Sequence, residues 1–533
     1  MTLHKLGHFH GGLHLDDHKA ESTGQPIEPQ PPGKELVLPL RQHIGHDAEA
    51  VVKPGDRVGK GQLIAQPFGD ISAAIHAPTS GTVVAIEGRP FPHPSGLPVE
   101  SIVIAADGED RWAQGLPAPV ADFRNLSAPE LTQRIREAGI VGLGGAAFPT
   151  DAKLRIDKNS ISTLVINGAE CEPWITCDDM LMREQASGIV SGIAILQHIL
   201  RPMETLIGIE DNKPEAIEAM RQALATARLD NTEVVVIPTL YPSGGEKQLI
   251  KILTGKEVPS GGLPLQIGVV CQNVGTTFAI FEAIVEGKPL IERVVTVTGD
   301  GVQQPHNLRL RIGTPISAAI AAAGGYVEGV AELLIGGPMM GVALPSDEVP
   351  LIKSANCILA STPANLRRHD AHPCIRCGEC ATVCPAQLLP QQLYWYARAK
   401  DHDKAEDHHL FDCIECGCCD YVCPSHIPLV QYYRHAKGEI RHLRKEKEKA
   451  DRARIRHQLR EERLAREKAE RAARLAAKKA ALEKKKAAKQ DAGDTPDPKK
   501  DAIAAALERA KARKAALQQE KAGKTAQESN ESP

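Results

Sequence analysis

Short apolar runs alternate with longer helical patterns through the second quarter of the 533-residue chain. Runs of aliphatic and β-branched residues predict strands at Leu164–Ile166, Thr205–Ile209 and Val234–Ile237. The longer segments predict helices at Asp179–Leu200 and Pro214–Ala227. This alternation indicates an open α/β sheet over residues 120–290, in which ligands bind at the carboxyl ends of the strands.

Two segments of different character precede this region. Residues 1–35 are rich in His, Gly and Pro, which predicts an irregular N-terminal arm. Residues 36–110 contain two related halves, whose β-branched runs and Pro-Gly and Ser-Gly turns predict a small β-sandwich. Both halves resemble the barrel-sandwich hybrid of biotinyl and lipoyl carrier domains. Those domains modify a Lys at the hairpin between the halves, but Phe68–Ala74 contains none, so we expect a structural or docking module.

The chain after the α/β region changes character twice more. Residues 291–350 combine a β-branched run with an Ala-rich helix at Ile316–Ala323, which is typical of a small α+β bridge. Residues 438–533 are dominated by Lys, Arg, Glu and Ala, which predicts solvated helix and then disorder after about residue 490. The basic stretch Lys478–Lys489 could contact anionic lipid or nucleic acid, but a solvated face mixed with Glu is favoured.

Composition and charge narrow the class of protein. The net charge of −3 gives no general case for nucleic-acid binding. The first residues lack the apolar core of a signal peptide, and no apolar run approaches the ~20 residues that span a bilayer. Eight of the 13 cysteines form one repeated run and four others are scattered, as is typical of a reducing cytoplasm. We therefore expect membrane association to come only through partner proteins.

The clustered cysteines repeat one spacing, C-x-x-C-x-x-C-x-x-x-C-P, at Cys374–Pro385 and again at Cys413–Pro424. This is the ligand spacing of bacterial [4Fe–4S] clusters, and in two-cluster ferredoxins the fourth Cys of each run ligates the other cluster. The ligands assigned to cluster 1 are therefore Cys374, Cys377, Cys380 and Cys423. Those assigned to cluster 2 are Cys413, Cys416, Cys419 and Cys384. We expect a ferredoxin-like helical domain over residues 360–437.

Two other cysteine chemistries fit this run less well. Zinc sites usually pair two C-x-x-C knuckles and have no use for a third Cys at the same step followed by Cys-Pro. A disulfide framework is typical of a small secreted domain, which this chain is not. Cys418, beside Cys419, is interpreted as a packed residue and not as a ligand. The run therefore indicates electron transfer without identifying the donor or the acceptor.

Four polar loops fall at or near the predicted strand ends. The first, Gly142–Thr150 followed by Lys153, has the glycines and the countercharge of a phosphate-binding turn. The others are Asn167–Pro173, Tyr241–Lys247 and Asn273–Thr277. Each loop alone is also compatible with ordinary turn chemistry, because Asn and Gly form turns and Glu is usually solvated.

In this order, upstream of a cluster domain, the four loops resemble those of the flavin-binding subunit of respiratory complex I and of related NAD-linked hydrogenases and formate dehydrogenases. The chain also resembles the RnfC family, the C subunits of the Rnf (or Rsx) electron-transport complex, over residues 1 to about 440. Phe9-x-Gly11-Gly12-x-His14 and Ile335–Gly341 belong to that second resemblance. It implies that residues 291–350 form a β-grasp, SLBB-like module after the flavin domain.

The resemblance also implies roles for the loop residues. FMN, bound without a covalent bond, would contact Gly142, Gly144, Gly145, Lys153, Asn167, Glu170, Asn273 and Thr276, with the glycines and the lysine at its phosphate. Phe148 and Glu172 would face the nicotinamide nucleotide, with Tyr241 and Glu246 nearby. Of these, Glu172 and Glu246 are the candidate catalytic residues.

Two departures from the family pattern weaken the nucleotide side of this assignment. The Asp-Glu-Ser-Glu run of the family is Ala169-Glu170-Cys171-Glu172 in this chain. The second acidic residue after the tyrosine is replaced by Gly245. The contacts to FMN are therefore the better supported part.

A flavin domain placed before a cluster domain suits a subunit that oxidises NADH or reduces NAD, because a flavin converts electron pairs into single electrons. The resemblance implies other Rnf subunits as partners, ion translocation by the whole complex, and a peripheral position on the cytoplasmic face of the bacterial inner membrane. The alternative is an iron–sulfur relay or docking subunit that has no nucleotide site. A soluble reductase that acts alone is disfavoured by the carrier-like domain and the helical tail.

Overall fold

The computed structural model describes residues 6–155, 161–366, 370–490 and 498–527. The chain divides into two compact units, Met1–Ile440 and Arg441–Pro533.

Antiparallel strands form the barrel-sandwich region near the start of the first unit. The first strand of the chain, β1 (Glu28–Pro29), belongs to a later sheet. The strands of this region are β2 (Glu35–Pro39), β3 (Glu49–Ala50), β4 (Arg57–Val58), β5 (Leu63–Gln66), β6 (Ile75–His76), β7 (Gly81–Pro90) and β8 (Pro98–Ala106). They build one sheet in the order β2-β8-β7-β4 and a second in the order β3-β5-β6. Alternating apolar residues such as Leu38, Ile64 and Ile102 are fully buried between the sheets, as expected for a sandwich.

A parallel four-stranded sheet with flanking helices follows. Its elements are α1 (Ala128–Glu137), α2 (Thr150–Leu154), β9 (Thr163–Gly168), α3 (Cys177–Leu200), β10 (Glu204–Glu210), α4 (Pro214–Ala227), β11 (Thr232–Ile237), α5 (Glu246–Thr254), β12 (Val269–Asn273) and α6 (Val274–Val285). The strand order β11-β10-β9-β12 reverses direction at β9, so the crevice between β9 and β12 is the topological switch point. The strands and helices that the apolar pattern predicted here are confirmed to within two residues at each end.

A mixed six-stranded sheet forms the next module, in the order β1-β14-β13-β17-β15-β16. The elements are β13 (Glu292–Thr298), β14 (His306–Arg311), α7 (Ile316–Ala322), β15 (Glu332–Ile335), β16 (Val342–Ala343) and β17 (Cys357–Ser361). The N-terminal arm contributes β1, which pairs in parallel with β14. The arm is thus largely irregular, as predicted, but part of it completes a sheet that lies almost 280 residues further along the chain.

Short helices surround the cysteine run. They are α8 (Glu379–Thr382), α9 (Pro390–Ala399), α10 (His402–Asp407), α11 (Cys418–Tyr421) and the start of α12 (Leu429–Gln490). The core of this module contains Leu393, Leu410 and Tyr433, and the Tyr433 hydroxyl donates to the carbonyl of Pro390 at 2.6 Å. Proline at the first position of α9 suits a helix start, where its missing N–H costs no hydrogen bond.

The second unit contains the rest of α12 and a further helix, α13 (Pro498–Gln527). The expectation of disorder after residue 490 is therefore wrong for residues 498–527, because Ala, Lys, Arg and Gln carry enough helix propensity to form a helix there. Residues 491–497 and 528–533, to which the same expectation applied, lie outside the described residues. Among the helices of the described ranges, none combines the length and apolar character needed to cross a bilayer.

Candidate functional site

The glycine loop lies at the start of the α/β domain and leaves backbone donors free. The N–H of Gly142 donates to the Phe148 carbonyl at 2.8 Å, which closes the loop. Within the described ranges, the N–H groups of Gly144, Gly145 and Ala146 have no acceptor, and all three residues are exposed. Gly145 has a φ of 110°, a conformation that favours glycine. Successive free N–H groups of this kind form a concave site for an anion.

Residues at the end of β12 hold the glycine loop in place. The Thr276 hydroxyl accepts from the N–H of Leu143 at 2.8 Å. The Asn273 side chain caps α6 by accepting from the N–H groups of Gly275 and Thr276 at 2.9 and 3.2 Å. A Cβ on Gly144 would lie 3.3 Å from the Asn273 side chain, so glycine allows the close approach. Asn273 and Thr276 therefore position the loop as well as being candidate ligand contacts.

Asn167 and Asn273 stand opposite each other at the carboxyl ends of β9 and β12, as direct register partners. Asn167 donates from Nδ2 to the carbonyl of Gly244 at 2.9 Å and accepts from the N–H of Ala169 at 3.1 Å. The two asparagines therefore flank the switch-point crevice, where α/β sheets bind ligands.

Lys153 lies near the same crevice and is already paired. Its Nζ is 2.7 Å from a carboxylate oxygen of Glu246 and 3.3 Å from the carbonyl of Cys271. Burial is the largest influence on the pKa of Lys153 and acts to lower it, but the charge and hydrogen bond of Glu246, together with the charge of Cys271, raise that pKa above its usual value. Lys153 is thus a firmly charged group between the start of α5 and the end of β12, with about a third of its side chain exposed.

Glu170 contacts the start of α3, where the sequence analysis predicted a helix but no residue of the site. Its carboxylate accepts from the N–H groups of Asp178 and Asp179 at 2.9 and 3.3 Å, at the N-terminus of α3. Burial, and then the Glu170 charge, raises the pKa of Asp178 to about 7. Asn273 donates to Asp178 at 2.6 Å, so this carboxyl group connects Glu170 to the crevice. The adjacent acidic residues at the start of a predicted helix were the available signal.

The Glu172 side chain contacts the module that contains the six-stranded sheet. Its Oε1 accepts from the N–H groups of Met339 and Met340 at 2.7 and 3.0 Å. A Cβ on Gly337 would overlap the Glu172 side chain at 2.1 Å, so glycine is needed at that position of the loop. Burial raises the pKa of Glu172, although these N–H groups act against the rise. The family-like segment Ile335–Gly341 therefore forms a binding site for the Glu172 carboxylate.

Tyr241 connects the α/β domain to the cysteine module. Its buried hydroxyl donates to the carbonyl of Cys416 at 2.6 Å. The backbone of Tyr241 also pairs with Leu13 of the N-terminal arm. The same arm reaches the first cysteine run, where His10 Nδ1 lies 3.0 Å from the carbonyl of Cys384 and Gly12 donates to Val383 at 3.0 Å. Tyr241 and the arm thus hold the cysteine loops against the α/β domain.

The structure brings Cys384 to the second cysteine run. The lining of one small cavity includes the four residues assigned to cluster 2, namely Cys384, Cys413, Cys416 and Cys419, and also Cys418. Burial raises the pKa of the Cys413 thiol to about 12. A thiolate there needs a compensating cation, and metal coordination supplies one. The residues present thus fit a metal cluster at this position.

The residues assigned to cluster 1 are partly or fully exposed, and none of them lines that cavity. Cys374, Cys380 and Cys423 pack against one apolar core, and Cys377 is exposed. The segments before Cys374 and after Cys423 are joined, since His372 donates to the Ser425 carbonyl at 2.9 Å. Cys418 is fully buried beside Tyr241, and all 13 thiols are free of disulfides.

Four family models match the chain in order. They are the RnfC barrel-sandwich hybrid domain over residues 7–109, the Nuo51 FMN-binding domain over 135–282, the SLBB domain over 294–343 and the 4Fe-4S dicluster domain over 367–446. The free N–H groups of the glycine loop and the paired cysteine runs lie within the second and the fourth of these. An FMN-binding domain joined to a 4Fe-4S dicluster domain defines the class of iron–sulfur flavoproteins that transfer electrons.

Curated relatives narrow the class to a family. The chain is 52% identical to the C subunit of the ion-translocating oxidoreductase complex of Pseudomonas aeruginosa, over 87% of this chain and 60% of that protein. It is 49% identical to the same subunit of Serratia proteamaculans, over 96% of this chain and 70% of the relative. The chain therefore belongs to the RnfC family. It spans about 60% of the Pseudomonas relative's length.

Among solved structures, the NAD+-reducing [NiFe]-hydrogenase in its H2-reduced state is similar at 18% identity, over 59% of this chain and 63% of that chain. The TM-score of 0.43 is too low for this likeness to support a conclusion about the site.

Proposed function

We propose that this chain is the subunit at which electrons enter a membrane-bound, ion-translocating Rnf complex from NADH, or leave it towards NAD. Electrons would pass between the nucleotide, a non-covalent FMN and two [4Fe–4S] clusters, and then to other subunits of the complex. The site would face the cytoplasm, with the chain held peripherally at the inner membrane. Family membership and the matched FMN and 4Fe-4S domains support the redox part of this proposal.

The observation that carries the proposal is the hydrogen bond from Tyr241 to the carbonyl of Cys416. Tyr241 follows β11 in the α/β domain, and Cys416 belongs to the second cysteine run. This buried contact of 2.6 Å brings the second run directly against the domain with the FMN-binding match. A flavin and a cluster that exchange electrons need such proximity.

Residues of the switch-point crevice would hold the FMN. The free N–H groups of Gly144 and Gly145, with the charge of Lys153, would bind its phosphate. Asn167 and Asn273 would orient the ring system from opposite strand ends. When bound, FMN supplies the chemistry that accepts a hydride and passes electrons on one at a time. The role of the protein is to orient it and to keep Lys153 protonated beside it.

One observation favours the alternative, an iron–sulfur relay that binds no nucleotide. Glu172 was expected to face the nicotinamide nucleotide and Tyr241 to lie near it, yet the first accepts from Met339 and Met340 and the second donates to Cys416. Glu246, the other candidate catalytic residue, is paired with Lys153. Phe148 is half-buried and free to contact a nucleotide ring, but the acidic groups proposed for that side already have partners.

Cofactor analysis and NADH titration of the anaerobically purified chain test the proposal. We expect about one FMN, about eight iron and about eight labile sulfide per chain. NADH should then bleach the flavin and reduce the clusters. Clusters without FMN, which dithionite reduces but NADH does not, would favour the relay instead. Stoichiometric zinc without sulfide would contradict both.

A further inference from the structure

Positive charge is concentrated in one part of the second unit. Residues 441–490 carry 20 Lys and Arg against 8 Asp and Glu, whereas the rest of the chain carries 44 against 59. The net charge is therefore +12 over residues 441–490 and −15 over the rest of the chain. Residues 491–533 contribute nothing to it, since their 8 basic and 8 acidic residues cancel. The net charge of −3 conceals this separation.

Ten of these twenty basic residues, between Lys445 and Lys485, fall on one face of α12, which we call the basic stripe. Its first members recur at intervals of four, three, four, four and three: Lys445, Lys449, Arg452, Arg456, Arg460 and Arg463. The same face continues with Arg471, Arg474, Lys478 and Lys485. Residues three and four apart lie on one side of a helix. At ~1.5 Å per residue, the basic stripe is about 60 Å long.

The acidic residues of the same segment mostly avoid the basic stripe. By the rotation of 3.6 residues per turn, Asp451, Glu461, Glu462 and Glu483 fall on the opposite side of the helix, and Glu446 and Glu448 fall on its flanks. Glu467 and Glu470 are the two on the stripe. Over residues 441–485 the stripe therefore carries ten basic residues against two acidic ones, and the rest of the helix surface carries eight against six.

Most charges of the basic stripe have no internal partner. Among the described side chains, the following make no ion pair: Lys445, Arg456, Arg460, Arg471, Arg474, Lys478 and Lys485. Like charges three or four residues apart repel each other and destabilise a helix. The arrangement is therefore unfavourable for the helix alone and becomes favourable against an extended anionic surface.

We propose that the basic stripe of α12 binds the anionic phospholipid surface of a membrane, with the helix lying flat on it. Each Lys or Arg near such a surface adds favourable energy. Exposed Leu464, Leu475 and Leu482 follow one margin of the stripe, where they can enter the headgroup region. The inference is independent of the proposed electron transfer.

Nucleic acid is the less suitable partner for this helix. A DNA groove turns about once every 34 Å, so a straight helix of about 60 Å cannot follow it. Residues 441–533 contain no Phe, Trp or Tyr, which are the side chains that stack on single-stranded bases. A plane of phosphates, in contrast, meets the stripe along its whole length.

Vesicle flotation of the complete chain tests the inference. We expect binding to vesicles that contain phosphatidylglycerol, little binding to pure phosphatidylcholine, and a loss of about tenfold or more between ~50 and ~500 mM salt. A chain that ends at Gln490 should bind as the complete chain does, because the deleted segment has no net charge. A chain that ends at Lys445 should not bind. Equal binding by these two truncated chains would overturn the inference.

A pair of triple variants separates the stripe from total charge. The stripe variant changes Arg460, Lys478 and Lys485 to Gln, and its control changes Lys447, Arg454 and Lys479, on the opposite face, to Gln. Both lose three charges and keep good helix formers. The stripe variant should bind anionic vesicles about tenfold or more weakly, and the control within about threefold of the parent. Equal loss in both, or tighter binding of duplex DNA than of vesicles, would contradict the proposal.

Discussion

The two cysteine runs share one spacing but differ in their surroundings. Around the first run, Cys377 is exposed and Ile375 keeps 67% of its surface accessible. In the second run, Cys416 and Cys419 are buried. Tyr241 donates to the carbonyl of Cys416, so the second run makes a buried hydrogen bond to the α/β domain.

This difference indicates that the repeat predicts the type of ligand, whereas distant residues determine what each cysteine loop contacts. Gly417 leaves room for the Met339 carbonyl, which would lie 2.8 Å from a Cβ at that position. Glu172 in turn holds the Met339 and Met340 backbone. Three modules therefore meet at the second cysteine run. We infer that cluster 2 is the cluster nearer the flavin domain, and that cluster 1 lies further from it.

The largest expected effect is the loss of one cluster. Cys384→Ser should remove cluster 2, whose other ligands lie in the second run, and Cys423→Ser should remove cluster 1. Each variant should keep about four of about eight iron atoms, and iron analysis with electron paramagnetic resonance checks the count. If Cys384→Ser instead abolishes the more exposed cluster, the exchange of fourth ligands is wrong.

The second prediction removes the flavin and leaves both cysteine runs intact. Lys153→Ala deletes the charge beside the free N–H groups of the glycine loop, which should cost ~1.5–3 kcal/mol, or roughly ten- to a hundred-fold in FMN affinity. Equilibrium dialysis with FMN measures the change. Lys247→Ala, in the first turn of α5, is the matched control, since that lysine reaches the Pro259 carbonyl and not the glycine loop. Unchanged FMN binding in Lys153→Ala would show that Lys153 does not bind the FMN phosphate.

Elements with a clear apolar period were predictable from sequence, and residues brought together by topology were not. The segments of β9, α3, β10, α4 and β11 follow local periodicity, so their bounds were accessible. The pairing of Asn167 with Asn273 depends on β12 returning to the far side of β9, which no local pattern encodes.

The contact of Glu172 with Met339 likewise joins residues 167 positions apart. The sequence marked both segments as family-like but could not show that they meet. The ligand assignments of the cysteines stay predictions, and they depend on spacing that is typical of [4Fe–4S] clusters.

The third prediction distinguishes two roles for Glu172. If it only anchors the Met339–Met340 backbone, Glu172→Gln should be close to neutral, because the amide oxygen can still accept both hydrogen bonds. Glu172→Ala should then slow NADH-driven reduction of cluster 2 and leave two free N–H groups, a cost of ~1–3 kcal/mol in stability. If Glu172 contacts the nicotinamide, Glu172→Gln should already weaken NADH kinetics with clusters intact. Stopped-flow reduction separates the two outcomes.

The smallest expected effect is that of Tyr241→Phe. The change leaves the buried carbonyl of Cys416 without its donor, at a cost of ~1–3 kcal/mol. The spectrum and midpoint potential of cluster 2 should shift, whereas those of cluster 1 should not. Tyr432→Phe, on α12 and outside the described contacts with Cys416, is the control. A shift confined to cluster 1 would contradict the proposed attachment.

The most direct measurement follows NADH-driven electrons in the two cysteine variants. Cys423→Ser and Cys384→Ser, both loaded with FMN, are mixed anaerobically with NADH, and the remaining cluster is observed by rapid-freeze electron paramagnetic resonance. Because cluster 2 lies against the flavin domain, it should be reduced rapidly in Cys423→Ser. In Cys384→Ser, cluster 1 should be reduced by dithionite but only slowly by NADH. Rapid NADH reduction of cluster 1 in Cys384→Ser, with slow reduction of cluster 2 in Cys423→Ser, would contradict the account.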